Sequence, residues 1–402
     1  MEISELRALL TPEGLELLDE LGPVDQVADV ARMVSRLRAA GHSPDLVSAV
    51  VGQARLRAKA KGKFGDFAAR MLFTRAGLEQ ATRLGVAARH AQRMRRAGVT
   101  RVTDLGCGIG GDSLAFAGAG LDVVAVDADE VTAAIAAYNL APFGESAVVT
   151  HGTAEAHAPL DGDDAQAIWM DPARRTAGHS ETRRVSSDDY SPPLDWAFDV
   201  ASRTPTGIKL GPGHDRDALP ADAEAQWVSA EGSVVELVLW TGVLAREGVR
   251  RAALVIRGER SHELTAGADA EDAPVRELGA FLHEPDGAVI RARLIGDVAR
   301  SLDAGMLDGR IAYLTSDAAV TSPFVQSFRV RETMPAHPKA ISAVLKAHGI
   351  GSLEIKKRGM DVDPAAFRKK LTLRGDAAAT LILTRVGGQR RAILADRVPA
   401  AE

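Results

Sequence analysis

The stretch Val102-Thr103-Asp104-Leu105-Gly106-Cys107-Gly108-Ile109-Gly110-Gly111-Asp112 decides the fold. A short strand-forming run enters a glycine-rich turn, and a helical pattern follows the turn at once. Glycine lets backbone approach a ligand closely, and the N-terminus of the following helix presents N–H groups that no helical carbonyl takes up. Taken alone, Gly106, Gly108 and Gly111 also satisfy the G-x-G-x-x-G pattern of dinucleotide-binding folds. The residues around the turn must therefore choose between ligands.

Two acids make that choice. Asp104 stands two residues before the first glycine, where a carboxylate opposes a pyrophosphate but attracts an ammonium. Asp127 follows the next strand, with Ala128 beside it, where a carboxylate accepts hydrogen bonds from ribose hydroxyls. Together they favour S-adenosylmethionine over NAD, with Gly106, Cys107, Gly108 and Gly110 as its cradle. An ordinary glycine turn beside two surface acids is the bland alternative, and a nicotinamide oxidoreductase is the most distant one.

Outward from the turn, short β-branched runs alternate with helical segments, the signature of a parallel α/β sheet. The expected strands are Arg101 to Leu105, Asp122 to Val126, Ala147 to Thr150, Ala165 to Met170, Thr206 to Leu210, Val234 to Leu239 and Ala252 to Ile256. Val234 to Leu239 is the weakest of these, because Gln226 to Ser229 can also be a strand with Glu231-Gly232 as its turn. The fourth strand ends in Ile168-Trp169-Met170-Asp171-Pro172-Ala173-Arg174-Arg175, at the carboxyl edge where open α/β sheets bind ligands. Methyl transfer is an in-line displacement, so alignment is the main task of the protein. Asp171 can accept a hydrogen bond from an attacking N–H, Pro172 can fix the loop, and Arg174 or Arg175 can hold a phosphate. Exposed arginines on a strand-ending Asp-Pro turn would be the structural alternative, and Trp169, inside the strand, reads as core.

At 402 residues and 46% hydrophobic composition the chain can bury two or three cores. Its boundaries are expected at 1–98 for an N-terminal helical region, 99–257 for the sheet domain, 258–319 for a connecting region and 320–402 for a small basic α/β domain. In the helical region Pro23 is expected to open a helix to about Ala40, and Ser43-Pro44 to cap the next, whose end carries Arg55, Arg57, Lys59, Lys61 and Lys63 and reads as a solvated face. The acidic stretch around Ala266 to Asp272 reads as a surface loop. The C-terminal segment is read as strand Phe324 to Val330, helix Pro338 to His348, strand Ser352 to Lys356, a helix capped by Asp363-Pro364, and strands Thr380 to Thr384 and Arg390 to Leu394.

No apolar run approaches the roughly 18 to 20 residues of a membrane span, and Met1 to Glu5 lacks the basic-then-apolar order of a signal sequence. A cytoplasmic protein is expected. The single cysteine, Cys107, excludes an intrachain disulfide and a multi-cysteine zinc site, and the ten histidines form no H-E-x-x-H, so no metal is expected. The net charge of −5 hides an asymmetry: residues 320–402 hold 15 basic and 7 acidic residues, a net of +8, against −13 for the rest. A basic domain on an acidic protein suggests a polyanion, with nucleic acid first, although a solvated charged face fits the charge equally well.

With Asp104 to Gly110, Asp127 and Asp171 in order, the segment from about 99 to 257 resembles class I S-adenosylmethionine-dependent methyltransferases. The resemblance implies a Rossmann-like seven-stranded α/β sheet, and it implies that His151-Gly152-Thr153-Ala154-Glu155 lies along the adenine, with Thr153, Ala154 and Glu155 as candidate contacts. Glu155 read by itself could equally be a first-turn helix acid. Lys63-Phe64-Gly65-Asp66-Phe67 and Leu72-Phe73-Thr74-Arg75-Ala76-Gly77 are similar to the leading segment of trimethylguanosine synthase-like RNA methyltransferases. In that group the fourth-strand motif is Asp-Pro-Pro followed by an aromatic that stacks on a base; here Ala173 and Arg174 take those two places. Tyr190 and Trp196 could offer an aromatic surface instead, though each reads more readily as packing.

The basic C-terminal part resembles a THUMP-like domain, which implies RNA, most often tRNA. Lys356, Lys357, Arg358, Arg368, Lys369 and Lys370 are its candidate phosphate contacts. The leading expectation is a methyltransferase of an RNA base nitrogen. Its rivals are a methyltransferase of a small molecule or protein, and a non-catalytic RNA-binding protein that keeps the fold.

Overall fold

The computed structural model describes residues 1–24, 27–158, 166–174 and 189–399. Two units form: Met1–Leu210 with Asp215–Ala223 and Val238–Arg246, and Gly211–His214 with Glu224–Leu237 and Glu247–Glu402. Among the described residues no helix is long and apolar enough to cross a membrane.

The first unit opens with α1 (Ile3–Leu9), α2 (Pro12–Leu21), α3 (Val27–Ala39), α4 (Pro44–Phe64), α5 (Arg75–Gln80) and α6 (Leu84–Arg96). Their starts follow capping chemistry: the side chains of Thr11, Ser43 and Thr74 accept the N–H groups of Gly14, Leu46 and Gly77, and Pro12 and Pro44 take first-turn positions where no N–H is needed. Pro23 and Val24 are not helical, and the described helix runs from Val27; residues 25 and 26 lie outside the described residues. Val24 is buried instead, and its N–H donates to the Ala54 carbonyl at 3.2 Å, which holds this stretch against α4.

The basic end of α4 is solvated only at Arg55, Lys59 and Lys61. Arg57 is buried and donates to the Met71 carbonyl at 3.0 Å and to Asp19 at 2.9 Å. Lys63 reaches the carbonyls of Leu78, Glu79 and Ala81, each at 2.8 Å, and so closes the C-terminal end of α5. Charge spacing along α4 cannot reveal this, because the partners lie in the segment that follows it.

The α/β part of this unit runs β1 (Arg101–Leu105), α7 (Gly111–Gly118), β2 (Asp122–Asp127), α8 (Glu130–Leu140), β3 (Ala147–His151), α9 (Ala154–His157), β4 (Gln166–Met170), β5 (Ala173–Arg174), β6 (Tyr190–Ser191), α10 (Leu194–Ala201) and β7 (Thr206–Leu210). The strand order is β3-β2-β1-β4-β7, all parallel, and the last residues of a later strand, Val238–Trp240, lie beyond β7. Order reverses between β1 and β4, and a crevice at the carboxyl ends there is where such sheets bind ligands. Trp169 is core: it sits 4.5 Å from the His90 ring, 5.7 Å from Trp240 and 5.8 Å from Phe116, measured between centroids.

The second unit contains β8 (Glu224–Ala230), the first residues of β9 (Ser233–Trp240), β10 (Arg251–Arg257) and β11 (Arg260–Ala266). Glu231 and Gly232 join β8 to β9 with φ of 52° and 78°, the signs a two-residue hairpin turn demands. Both strands that competed in the sequence therefore exist, on either side of that turn. β12 (Phe281–Pro285), α11 (Gly287–Arg291), α12 (Ile295–Ser301), β13 (Gly305–Asp308) and β14 (Ile311–Ser316) follow, then β15 (Val325–Pro335), α13 (Pro338–Ala347), β16 (Ile350–Lys357), α14 (Pro364–Arg368), β17 (Ala377–Val386) and β18 (Gln389–Arg397). Residues 281–316 supply three strands to a seven-stranded sheet of order β13-β14-β12-β15-β18-β17-β16. One core holds Ile341 and Leu345 of α13 with Leu381, Leu383, Ala392 and Leu394; another holds Tyr313, Phe328, Ile382 and Ile393.

Tight packing around Trp169 gives a direct test. A Cβ on Gly207 would come within 2.6 Å of Trp169 and 2.8 Å of Trp240. Gly207→Ala should therefore cost about 1 to 3 kcal/mol of stability through overpacking, read as a lower denaturant midpoint with altered tryptophan emission. An unchanged midpoint would show that the two indoles yield freely.

Candidate active site

After β1 the chain turns through Gly106, Gly108 and Gly110 with φ of 86°, 57° and 82°, a region other residues enter only under strain. The N–H groups of Gly106 and Cys107 both donate to the Val126 carbonyl, at 2.9 and 3.0 Å, which ties the turn to β2. A Cβ on Gly108 would meet no atom within 4 Å, so the turn is open on that side. Cys107 is buried, and burial, then the charges of Asp104 and Asp127, push its thiol well above the ordinary range. Such a thiol stays protonated and unreactive, leaving the backbone as what Cys107 offers.

Asp127 is built into the same turn. Its Oδ2 accepts the Gly108 N–H and its Oδ1 the Asp129 N–H, both at 2.9 Å. Burial raises its pKa against these two hydrogen bonds. Each oxygen retains a lone pair for a further donor. Ala128 is exposed, and its carbonyl lies 3.1 Å from His151 Nε2, while Gly152 N–H donates to the Asp127 carbonyl at 3.0 Å. The ends of β2 and β3 are thereby joined. Thr153 and Glu155 are exposed at the start of α9 and Ala154 is half-buried; the His157 ring covers Gly152 so closely that a Cβ there would collide with it.

Asp104 departs from the free carboxylate that its position suggests. It is 1% exposed, Ser113 Oγ donates to it at 2.5 Å, and its pKa is pushed up to about 8, by burial first and then by Asp112 and Asp171. At neutral pH this carboxyl carries a proton in the absence of a cation beside it.

At the end of β4, Asp171 is partly exposed and pairs with Lys209 Nζ, and Pro172 is buried. A Cβ on Gly106 would lie 3.5 Å from the Asp171 carbonyl oxygen, so the glycine turn and the Asp171-Pro172 corner are neighbours. Ala173 and Arg174 pair antiparallel with Ser191 and Tyr190. Tyr190 is buried, a packing residue and not a stacking surface. Arg175 lies outside the described residues, and Arg174 is described by its strand pairing alone.

Sequence reasoning missed four residues here: Lys209, Thr82, Asp112 and His90. Lys209 Nζ donates to Thr82 Oγ1 at 3.0 Å, Thr82 donates to Asp112 Oδ2 at 2.8 Å, and His90 Nδ1 lies 2.9 Å from Asp112 Oδ1. Burial works to raise the Asp112 pKa, but His90, Lys209 and Thr82 outweigh it and hold the carboxyl below its usual value. A lysine one residue from the end of an otherwise apolar strand was the available signal.

In the second unit the six candidate phosphate contacts divide. Lys356 pairs with Glu284 at 2.6 Å, Arg358 lies 3.7 Å from the same carboxylate with its guanidinium 5.3 Å from the Tyr313 ring centre, and Arg368 donates to the Leu353 carbonyl. Lys357, Lys369 and Lys370 are exposed with no ion-pair partner among the described residues.

Comparison with known proteins gives a consistent family. Residues 325–397 match a family model described as THUMP domain-like, and residues 2–60 match one described as a domain of unknown function. The chain is 34% identical over 360 residues to proteins named uncharacterized S-adenosylmethionine-dependent methyltransferase in two strains of Mycobacterium tuberculosis, covering 88% of this chain and 95% of theirs. The chain belongs to the S-adenosylmethionine-dependent methyltransferases. A solved structure named for a methyltransferase of Porphyromonas gingivalis W83 shares the fold, with a TM-score of 0.72 at 19% identity over 94% of this chain and 100% of that one.

This methyltransferase uses S-adenosylmethionine, and the residues at the carboxyl edge fit it: an open glycine turn for close backbone approach and a carboxylate on that turn for hydroxyls. Among the described residues no group of three or more His, Cys, Asp or Glu is placed to hold a metal.

The raised Asp104 pKa has a consequence for stability. A carboxyl at about 8 in the fold and at its ordinary 3.8 in the unfolded chain contributes fully below 3.8 and loses that contribution as pH rises towards 8. Asp104→Asn should therefore stabilise the cofactor-free protein more at pH 8 than at pH 5, by up to about 1.4 kcal/mol for each pH unit in the window. Denaturant melts at both pH values would decide it, and an equal effect at each would mean that Asp104 is ionised throughout.

Proposed function

We propose that this methyltransferase transfers the methyl group to a base nitrogen of RNA, with tRNA the first candidate, and that residues 320–402 dock the RNA. One observation carries the reading: residues 320–402, which contain the segment that matches the THUMP domain-like family, hold a net charge of +8 on an otherwise acidic chain. A basic face recognises a phosphate backbone without regard to sequence. Lys357, Lys369 and Lys370 are the candidate contacts best placed for it, since an ammonium already bound to a carboxylate, as at Lys356, gains less from a phosphate. This reading puts the protein in the cytoplasm.

At the carboxyl edge, the bound cofactor supplies an electrophilic methyl group on a sulfonium. Asp127 would accept hydrogen bonds from the ribose, the Gly106 to Gly110 turn would take the cofactor against backbone, and Thr153, Ala154 and Glu155 would border the adenine. Asp104 would give up its proton to face the ammonium of the methionine part. Asp171 would accept a hydrogen bond from the attacking base N–H, which orients the nitrogen lone pair, while Pro172 keeps that carboxylate on a stiff corner. Arg174 and Arg175 follow directly and would meet the phosphate next to the target base.

Mass spectrometry of nucleosides from cells with and without the gene tests the reading, followed by methylation of the undermodified RNA in vitro. One methylated nucleoside should vanish on deletion and return with purified protein; no change in any nucleoside would reject an RNA substrate. Salt dependence adds a residue-level check. Replacing Lys357, Lys369 and Lys370 by alanine should lower the log-log salt slope of RNA binding by about 2 to 3, whereas Lys356→Ala should change it little. An unaltered slope in the triple variant would make these lysines plain surface charge.

A further inference from the structure

The Asp171 carboxylate does not stand alone. It meets the ammonium of Lys209, which projects from the penultimate residue of β7 and is only 11% exposed. The ammonium is held in turn: it donates to Thr82 Oγ1, whose own hydroxyl proton goes to Asp112, and the second Asp112 oxygen takes His90. Because Thr82 has a single hydroxyl hydrogen, donation to Asp112 leaves its lone pairs to Lys209, which gives the chain one direction. The far end is packed, since the His90 ring lies tilted against the fully buried Trp169 with centroids 4.5 Å apart, in the strand that leads into Asp171. Chain and strand thus fix the same carboxylate from two sides.

Charge makes the same case. The charges of Asp112 and Asp171 raise the Asp104 pKa, and the Lys209 ammonium works to lower that of both Asp104 and Asp112. Lys63 is the other nearby ammonium, but its three hydrogen bonds go to carbonyls of the α5 end. A side chain whose flexible stem must be frozen in a half-buried place costs conformational entropy, and a lysine needed only to fill space would be replaceable by an apolar residue of similar volume.

We propose that Lys209 is the positioning residue of Asp171: anchored through Thr82 to the Asp112–His90 pair, it holds the Asp171 carboxylate ionised and fixed at the end of β4, ready to accept the hydrogen bond of the attacking group. This rests on the reading that Asp171 meets the acceptor, and it assigns a role to Lys209, Thr82, Asp112 and His90 that the cofactor site does not require. Lys209 acts through Asp171 and makes no bond to the methyl group.

Two measurements test it in the full-length protein. The first needs no substrate: the Asp171 carboxyl is titrated by NMR in protein labelled at aspartate carboxyl carbons, with Asp171→Asn to assign the signal. Lys209→Met should raise its pKa by at least about one unit, a tenfold shift in its ionisation, and Lys209→Arg should restore most of it. An Asp171 titration unmoved by Lys209→Met overturns the proposal. The second is a double-mutant cycle on single-turnover methyl transfer to unfractionated RNA from cells lacking the gene. Lys209→Met and Asp171→Asn should each slow transfer by roughly a hundredfold, and the double variant should be no slower than Asp171→Asn within about twofold, with S-adenosylhomocysteine affinity unchanged in all three. Multiplying losses would mean that Lys209 acts independently and would overturn it. Thr82→Val keeps the ammonium and loosens its anchor, so it should slow transfer by about tenfold even where Lys209→Met fails to fold; a Thr82→Val enzyme as fast as wild type counts against the anchor. If wild-type protein methylates none of that RNA, the RNA reading fails, and the titration still decides the role of Lys209.

Discussion

Carboxyl groups crowded at the end of a parallel sheet are the constraint to which the rest of the first unit answers. Asp104 and Asp112 are buried and Asp171 is half-buried within the reach of their fields. Like charges at such separations in a poorly solvated place cannot all ionise unaided. Each carboxyl reaches a different settlement: Asp104 is pushed up to about 8 and takes a serine hydroxyl, Asp112 is held below its usual value by His90, Lys209 and Thr82, and Asp171 pairs with Lys209. The result is one carboxyl, Asp104, that keeps its proton until a cation meets it, and two, Asp112 and Asp171, that already have partners.

The helices before the sheet have a part in that arrangement. Gln53 of α4 bonds both backbone groups of Phe73, and Asn139 of α8 bonds both backbone groups of Leu72 and the Ile109 carbonyl of the glycine turn. Residues 71–73, in no regular element, are thus stapled between the N-terminal helices and the turn. Gly77 at the start of α5 touches Ile109 so closely that a methyl group would not fit. Thr82 and His90, which reach Asp112, come from the same region. The N-terminal helices therefore complete the carboxylate cluster; a sheet without them would leave Asp112 and Lys209 without the hydroxyl that links them.

Much of this was legible in the sequence, for a physical reason. β1, β2, β3 and β7 are short and bounded by glycine, proline or capping residues, and the apolar centres of the longer C-terminal strands stand out in the same way, so local pattern and tertiary burial agree. The glycine turn with Asp104 and Asp127 could be read because backbone conformation and ligand charge both constrain those positions. Residues 281–316 were not legible as strands, since they complete a sheet whose other members run from Val325 to Arg397. Polar residues buried by distant partners were equally hidden: Arg57 and Lys63 look like a solvated helix end until Met71, Asp19 and the α5 carbonyls surround them. Lys209 stood in plain view in a strand, but its meaning depends on Thr82, 127 residues earlier.

Binding of S-adenosylhomocysteine, measured by calorimetry on the wild-type protein and on Asp127→Ala, bears most directly on the assignment of the carboxyl edge as the cofactor site. Wild-type protein should bind it and give no heat with NAD, and loss of the Asp127 carboxylate should weaken binding by roughly 10- to 100-fold, the worth of about 1 to 3 kcal/mol of hydrogen bonding. Equal affinity in the two proteins, or binding of NAD in place of S-adenosylhomocysteine, would contradict it.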